Sequence, residues 1–321
     1  MKRIDLHVWG PLIALIGLFI LGALLNPAFL APANLSNVLA RSAFIGLIAI
    51  GMTFVITQGG LDLSVGSMAA FLAGITIMAM NALVPIVGES WGTILLGMGV
   101  ALLGGIAAGY VNGALITKAR IEAFIVTLGT MGIFRSLVTW LADGGTLSLD
   151  SGLRSIYRPV YFGGLGWLTW PIIVFAIAAV LGEWTMRHTR FGRHVEAIGS
   201  NDRVARYSAV DVERVRLATY VLLGVLVGVA TILYVPRLGS ASGSTGVLWE
   251  LEAIAAVIIG GTALKGGRGR VWGTVVGVLI LSMIDNILNL TDLVSPYLNG
   301  AIQGVIIVLA VVLQREKRTA E

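Results

Sequence analysis

Long apolar runs separated by short polar turns repeat along this chain. Their lengths are close to the roughly 20 residues a membrane-crossing helix needs. Ten such runs are read, at about 9–25, 37–57, 64–81, 92–117, 123–141, 168–186, 214–235, 250–264, 271–290 and 297–313. The pattern predicts an all-α, polytopic integral membrane helix bundle of about ten transmembrane helices, some short or broken, in one domain over 1–321. The run at 250–264 is short and glycine-rich, so a tilted or interrupted element is expected there. Gly104, Gly105, Ala107, Ala108 and Gly109 crowd the fourth run. Small residues of this kind let helix backbones approach closely in lipid.

Composition supports this picture. Of 321 residues, 57% are apolar and 12% are charged, with a mean hydropathy of +0.91. An average soluble domain carries about 25% charged residues, so composition argues against a water-soluble enzyme and excludes a disordered chain. The absence of cysteine removes disulfides, thiolate metal sites and cysteine nucleophiles. Three scattered histidines, His7, His188 and His194, offer no metal cluster.

The positions of the charges then matter more than the pI of 9.7. If the ten runs all cross, seventeen Lys and Arg fall on one side and three, Arg154, Arg158 and Arg237, on the other. Arg41 and Arg135 fall inside runs. Cytoplasmic loops carry such an excess, so both termini and the 187–216 loop are expected in the cytoplasm. The same distribution argues against a nucleic-acid surface, because no basic face is interleaved with aromatics. Lys2-Arg3 followed by an apolar stretch and Ala31-Pro32-Ala33 imitates a secretory signal. The stretch is longer than an ordinary signal core, and an uncleaved first span is expected.

No phosphate-binding P-loop, zinc-protease or serine-hydrolase motif occurs. No chain of Asp, Glu and His runs through the spans, as a proton pump would require. The residues therefore read as a transport or channel protein without its own energy source.

Four segments carry more information. They are Gly60-Leu61-Asp62-Leu63-Ser64, the run 123–128, Gly199-Ser200-Asn201, and the run 253–262 that ends in Gly260-Gly261-Thr262. In this order they resemble the permease subunit of bacterial ATP-binding-cassette (ABC) importers of the ribose/xylose/galactose type, over nearly the whole chain. The departures at Glu122, Ser200 and Ser208-Ala209-Val210 leave the sugar open.

The resemblance implies a permease in the bacterial inner membrane that translocates a monosaccharide or polyol. It implies three partners: a cytoplasmic ATPase that uses ATP and Mg, a periplasmic or lipid-anchored sugar-binding protein, and a second permease copy, identical or related. The chain itself is expected to bind no metal or cofactor. The 187–216 loop would supply a short helix at about 201–208 that couples to the ATPase through Asn201, Asp202, Arg203, Val204, Arg206 and Tyr207. Asn201 is a favoured N-cap and Asp202 suits the positive helix end. Val204, Ala205 and Tyr207 are expected on one face. The outer loop 142–167 is the expected docking surface for the binding protein.

A sugar pathway wants amides, hydroxyls and aromatic faces. The candidates within the runs are Asn112, Thr127, Thr130, Asn286, Asn289, Asn299 and Gln303. The intramembrane charges Arg135 and Asp285 lie at similar depth and are expected to form a pair. Two other readings stay open: a stand-alone secondary transporter or facilitator, and a membrane-embedded enzyme whose catalytic cluster is not found.

Overall fold

The computed structural model describes residues 6–291 together with 298, 300–302, 304, 305 and 308. In chain order the elements are α1 (Leu6–Leu25), a 3-10 turn (Pro27–Leu30), α2 (Pro32–Thr57), α3 (Val65–Val87), α4 (Trp91–Thr117) and α5 (Ala123–Leu141). Next come β1 (Thr146–Ser148), α6 (Ser151–Tyr157), α7 (Pro159–Phe162), β2 (Gly164–Leu165), β3 (Leu168–Thr169) and α8 (Trp170–His188). The rest is α9 (Arg190–Ser200), α10 (Asp202–Tyr207), α11 (Val212–Leu238), β4 (Ser240–Ser242), α12 (Trp249–Ile259) and α13 (Val271–Thr291).

Among the described residues, seven helices are long and apolar enough to cross a membrane: α2, α3, α4, α5, α8, α11 and α13. The first expected span is the shorter apolar stretch Gly10–Leu25 of α1. The eighth, at 250–264, is the 11-residue α12. At 1.5 Å per residue it is about 16 Å long, half the hydrocarbon thickness of about 30 Å. Most of 297–313, including Asn299 and Gln303, lies outside the described residues. The count of ten is therefore not reproduced: α1 contributes only a shorter apolar stretch, the 250–264 run gives the short, interrupted element expected there, and most of the tenth run lies outside the described residues.

α2 is the central element, with 83% of its apolar window buried. It packs against α8, α11, α12 and α13. Pro32 at its first position is preorganised for a helix start. The expected close packing in α4 is against α11. Gly105 lies on the Gly224 carbonyl and Gly224 on the Gly105 carbonyl, so a methyl at either would overlap the opposite backbone. Four short strands tie loops together at one end. β1 pairs antiparallel with β4, Thr146 opposite Ser242, and β2 with β3, Gly164 opposite Thr169.

Candidate functional site

The third motif and the residues that flank the first and fourth meet where the end of α2, the end of α9 and the 260–270 segment converge. The Thr57 carbonyl accepts the backbone N–H of Gly267 at 2.8 Å. A methyl on Gly199 would overlap both Thr57 O and Gly267 N. One on Gly266 would lie 3.0 Å from Gly59 N and 3.1 Å from Gly199 Cα. Gly266 and Gly267 also hold φ of 86° and 85°, which only glycine adopts freely. The spacing of these glycines reflects one backbone junction.

The turn after α2 re-enters the bundle. The Asp62 carboxylate accepts the Ser64 N–H at 2.8 Å and the Ser64 hydroxyl at 2.6 Å. Asn112 Nδ2 donates to Asp62 at 3.1 Å and to Ser64 Oγ at 2.9 Å. The Tyr220 hydroxyl donates to the Leu61 carbonyl at 3.1 Å. Asp62, Ser64 and Asn112 are all buried. Burial pushes the Asp62 carboxyl above its ordinary range, against hydrogen bonds from Ser64 and Asn112 that favour the charged form. Asn112 thus sits in a turn-holding network. Thr127 and Thr130 are buried on α5 and donate to the Ala123 and Thr127 carbonyls of their own helix.

The expected short helix forms as α10, and Asn201 Oδ1 accepts the Val204 N–H at 3.1 Å as its N-cap. Asp202 anchors it, meeting Arg206 at 2.9 Å and Arg216 of α11 at 3.2 Å. The expected common face divides: Ala205 is buried, whereas Val204 is 57% and Tyr207 90% exposed. Residues three apart share a helix face and adjacent ones do not. Arg203 is exposed as well.

Toward the opposite end, a cavity of about 200 Å³ opens between α2, α11, α12 and α13. Asn37, Arg41 and Phe44 line it from α2, and Arg237 from α11. Trp249 and Glu252 line it from α12, and Ser282, Asp285, Asn286 and Asn289 from α13. Phe44 and Trp249 stack with centroids 6.4 Å apart and planes 6° from parallel. The Arg237 guanidinium lies 5.8 Å from the Phe44 ring and 5.8 Å from that of Tyr161. Asn286 exchanges amide hydrogen bonds with Asn34 at 3.0 and 2.9 Å, which fixes its orientation. Two pathway candidates, Asn286 and Asn289, are therefore brought together.

Arg135 and Asp285 belong to different surroundings. Arg135 donates to the carbonyls of Gly243 (2.7 Å) and Thr245 and feels the charge of Glu250. It thereby holds the irregular stretch before α12. Asp285 faces the cavity that also holds Arg41 and Arg237. The buried Glu183 of α8 accepts the Trp272 N–H at 3.1 Å, caps α13, and pairs with Arg187.

Sequence reasoning missed Arg41, Arg237, Trp249 and Glu252. A signal was present. Asn37 and Arg41 stand four apart, and Ser282, Asp285 and Asn289 three and four apart, in otherwise apolar helices. That spacing is a polar stripe on one helix face.

Comparison with known proteins agrees with the motifs. Residues 34–311 match the family described as branched-chain amino acid transport system / permease component. The chain is 40% identical over 312 residues to the ribose import permease protein of Bacillus subtilis, covering 96% of this chain and 92% of that one. It is 36% identical over 318 residues to the ribose import permease protein of Escherichia coli K12, with 96% and 93% covered. It is 31% identical over 375 residues to the xylose transport system permease protein of Haemophilus influenzae, with 97% and 96% covered. Family match, near-complete coverage and the bundle of apolar helices converge: the chain belongs to this family of transport-system permease components.

Proposed function

We propose that this chain is the membrane subunit of an ABC importer that carries a monosaccharide, ribose, xylose or a related sugar, across the bacterial inner membrane. The observation that carries the reading is the pairing of two features at opposite ends of one apolar bundle. A polar, aromatic-floored cavity opens at one end, and a capped helix with exposed Val204 and Tyr207 projects at the other. The similarity to ribose and xylose permeases supports the cargo class.

In this reading two permease copies form the pathway. A separate ATPase docks on α10 and supplies the energy from ATP and Mg. Asn201, Asp202 and Arg206 shape α10, while Arg203, Val204 and Tyr207 make the contact. A sugar-binding protein docks on the loop of α6, α7 and the β2–β3 hairpin, where Phe162, Leu165 and Trp167 are exposed. Both termini and α9–α10 face the cytoplasm. Among the pathway candidates Asn286 and Asn289 contact the sugar, and Gln303 remains a candidate from outside the described residues.

The test is uptake of radiolabelled D-ribose and D-xylose into proteoliposomes holding the permease, its ATPase and its binding protein. Uptake that requires ATP and all three components is expected. Sugar entry with the permease alone and without ATP would overturn the reading in favour of a facilitator.

A further inference from the structure

The cavity between α2, α11, α12 and α13 has a chemistry of its own. Arg41 stands nine residues into α2, about 14 Å from its start, and Asp285 about 9 Å from the end of α13. Both positions lie inside helices long and apolar enough to cross a membrane. Asn37 and Arg41 are nevertheless exposed on the most enclosed helix of the bundle. Charged groups inside such helices face water or protein, not lipid. The open side of the cavity therefore faces an aqueous path or a second copy.

The formal charges balance. Arg41 and Arg237 bring two positive groups, and Glu252 and Asp285 two negative ones. A site of this kind has no net attraction for an anion or a cation. Its walls still offer planar amide, guanidinium and carboxylate groups, with Asn286 held in place by Asn34, a chemistry suited to vicinal hydroxyls. The half-buried Trp249 ring, backed by the buried Phe44 ring parallel to it, adds an apolar surface. A pyranose or furanose presents the matching surface, one C–H face and a rim of hydroxyls. The cavity volume of about 200 Å³ is many times the roughly 10–15 Å³ that one water needs on the same measure, so a ligand much larger than water fits.

An apolar amino acid fits less well. Its side chain needs a polar-free pocket, but Asn37, Ser282 and Asn289 place polar groups in the cavity wall.

We propose that this cavity binds one neutral monosaccharide within a single permease copy, so that the membrane subunit itself selects the cargo. The proposal rests on the importer reading above and goes beyond it. Delivery by a binding protein does not require the permease to hold the sugar at all.

The test uses the full-length permease with its ATPase in lipid discs, without binding protein. Binding of radiolabelled D-ribose and D-xylose is measured by scintillation proximity, with L-leucine and D-ribose 5-phosphate as competitors. The expected result is saturable sugar binding that neither competitor displaces. Asp285→Asn and Asn289→Leu are each expected to weaken it about tenfold or more, in preparations that still elute as the assembled complex. Trp249→Leu is expected to do the same by removing the ring. Unaltered sugar binding in all three variants would overturn the site. Displacement by L-leucine or by the phosphosugar would overturn the cargo class. Absence of sugar binding in a preparation that still imports sugar once binding protein and ATP are added would overturn the site and leave the importer reading standing. Failure of that same preparation to import any sugar would remove the importer reading itself, and the site with it.

Discussion

The backbone N–H of Gly267 donates to the carbonyl oxygen of Thr57 at 2.8 Å, and Gly199 fills the remaining side of that contact without a side chain. A methyl at position 199 has no space, because the atoms it would meet are backbone. Gly199→Ala is expected to cost about 1–3 kcal/mol, as overpacking does elsewhere, and to lower the melting temperature of the purified protein. Gly99→Ala, where nothing lies within 4 Å, is expected to be neutral or slightly stabilising. Equal melting temperatures for the two variants would refute the junction as described.

Asp62 gives a pH dependence with a definite sign. Burial raises its pKa in the folded protein above the ordinary 3.8. The folded state then holds a proton that the unfolded state has already lost, so stability falls as pH rises above 3.8 toward the folded value. Asp62→Asn keeps an acceptor for Ser64 and removes the charge. It is expected to flatten this part of the stability–pH curve, read by thermal unfolding across a pH series. An unchanged slope would mean that the carboxyl titrates normally.

α10 separates stability from coupling. Tyr207 is 90% exposed and Arg203 is also exposed, so Tyr207→Ala with Arg203→Glu is expected to change stability by no more than about 0.5 kcal/mol each. In proteoliposomes the same double variant is expected to abolish ATP-driven uptake while the permease still inserts. Normal uptake by the double variant would remove α10 from the coupling role.

Arg135 pins the irregular stretch ahead of α12 through the carbonyls of Gly243 and Thr245. Arg135→Met leaves both carbonyls without that donor. Because the chain has no cysteine, a single Ser242→Cys reports the stretch cleanly. Maleimide labelling at that site is expected to be severalfold faster in the Arg135→Met background. Identical rates would show that the β1–β4 pairing alone holds the segment.

How much of this could be read in the sequence depended on the range of the interaction. The long helices followed from apolar run length, and α10 with its Asn201 cap followed from local chemistry. The four motifs pointed to the family that the comparisons then showed. The broken 239–262 segment was only half legible, since its glycines and short apolar run do not say where the helix starts. The cavity was not legible as a unit. Its walls come from Arg41 and Asp285, which lie far apart in sequence, and each helix alone shows only two or three polar positions. The expected Arg135–Asp285 partnership rested on depth along each helix. Depth fixes height in a bundle but not azimuth, and α5 packs against α3 and α4 while α13 packs against α1, α2, α8 and α12.

The junction of Thr57, Gly199 and Gly267 also bears on how force travels. Side chains between helices act as a cushion, since a rotamer change absorbs a small shift. Here the backbones touch directly, and a close-packed contact of this kind is stiff. α10 starts three residues after Gly199, α13 starts four after Gly267, and α2 ends at Thr57. A displacement of Gly199 therefore bears directly on the end of α2 and on the segment that leads into α13, the two helices that carry Arg41 and Asp285 on the cavity wall.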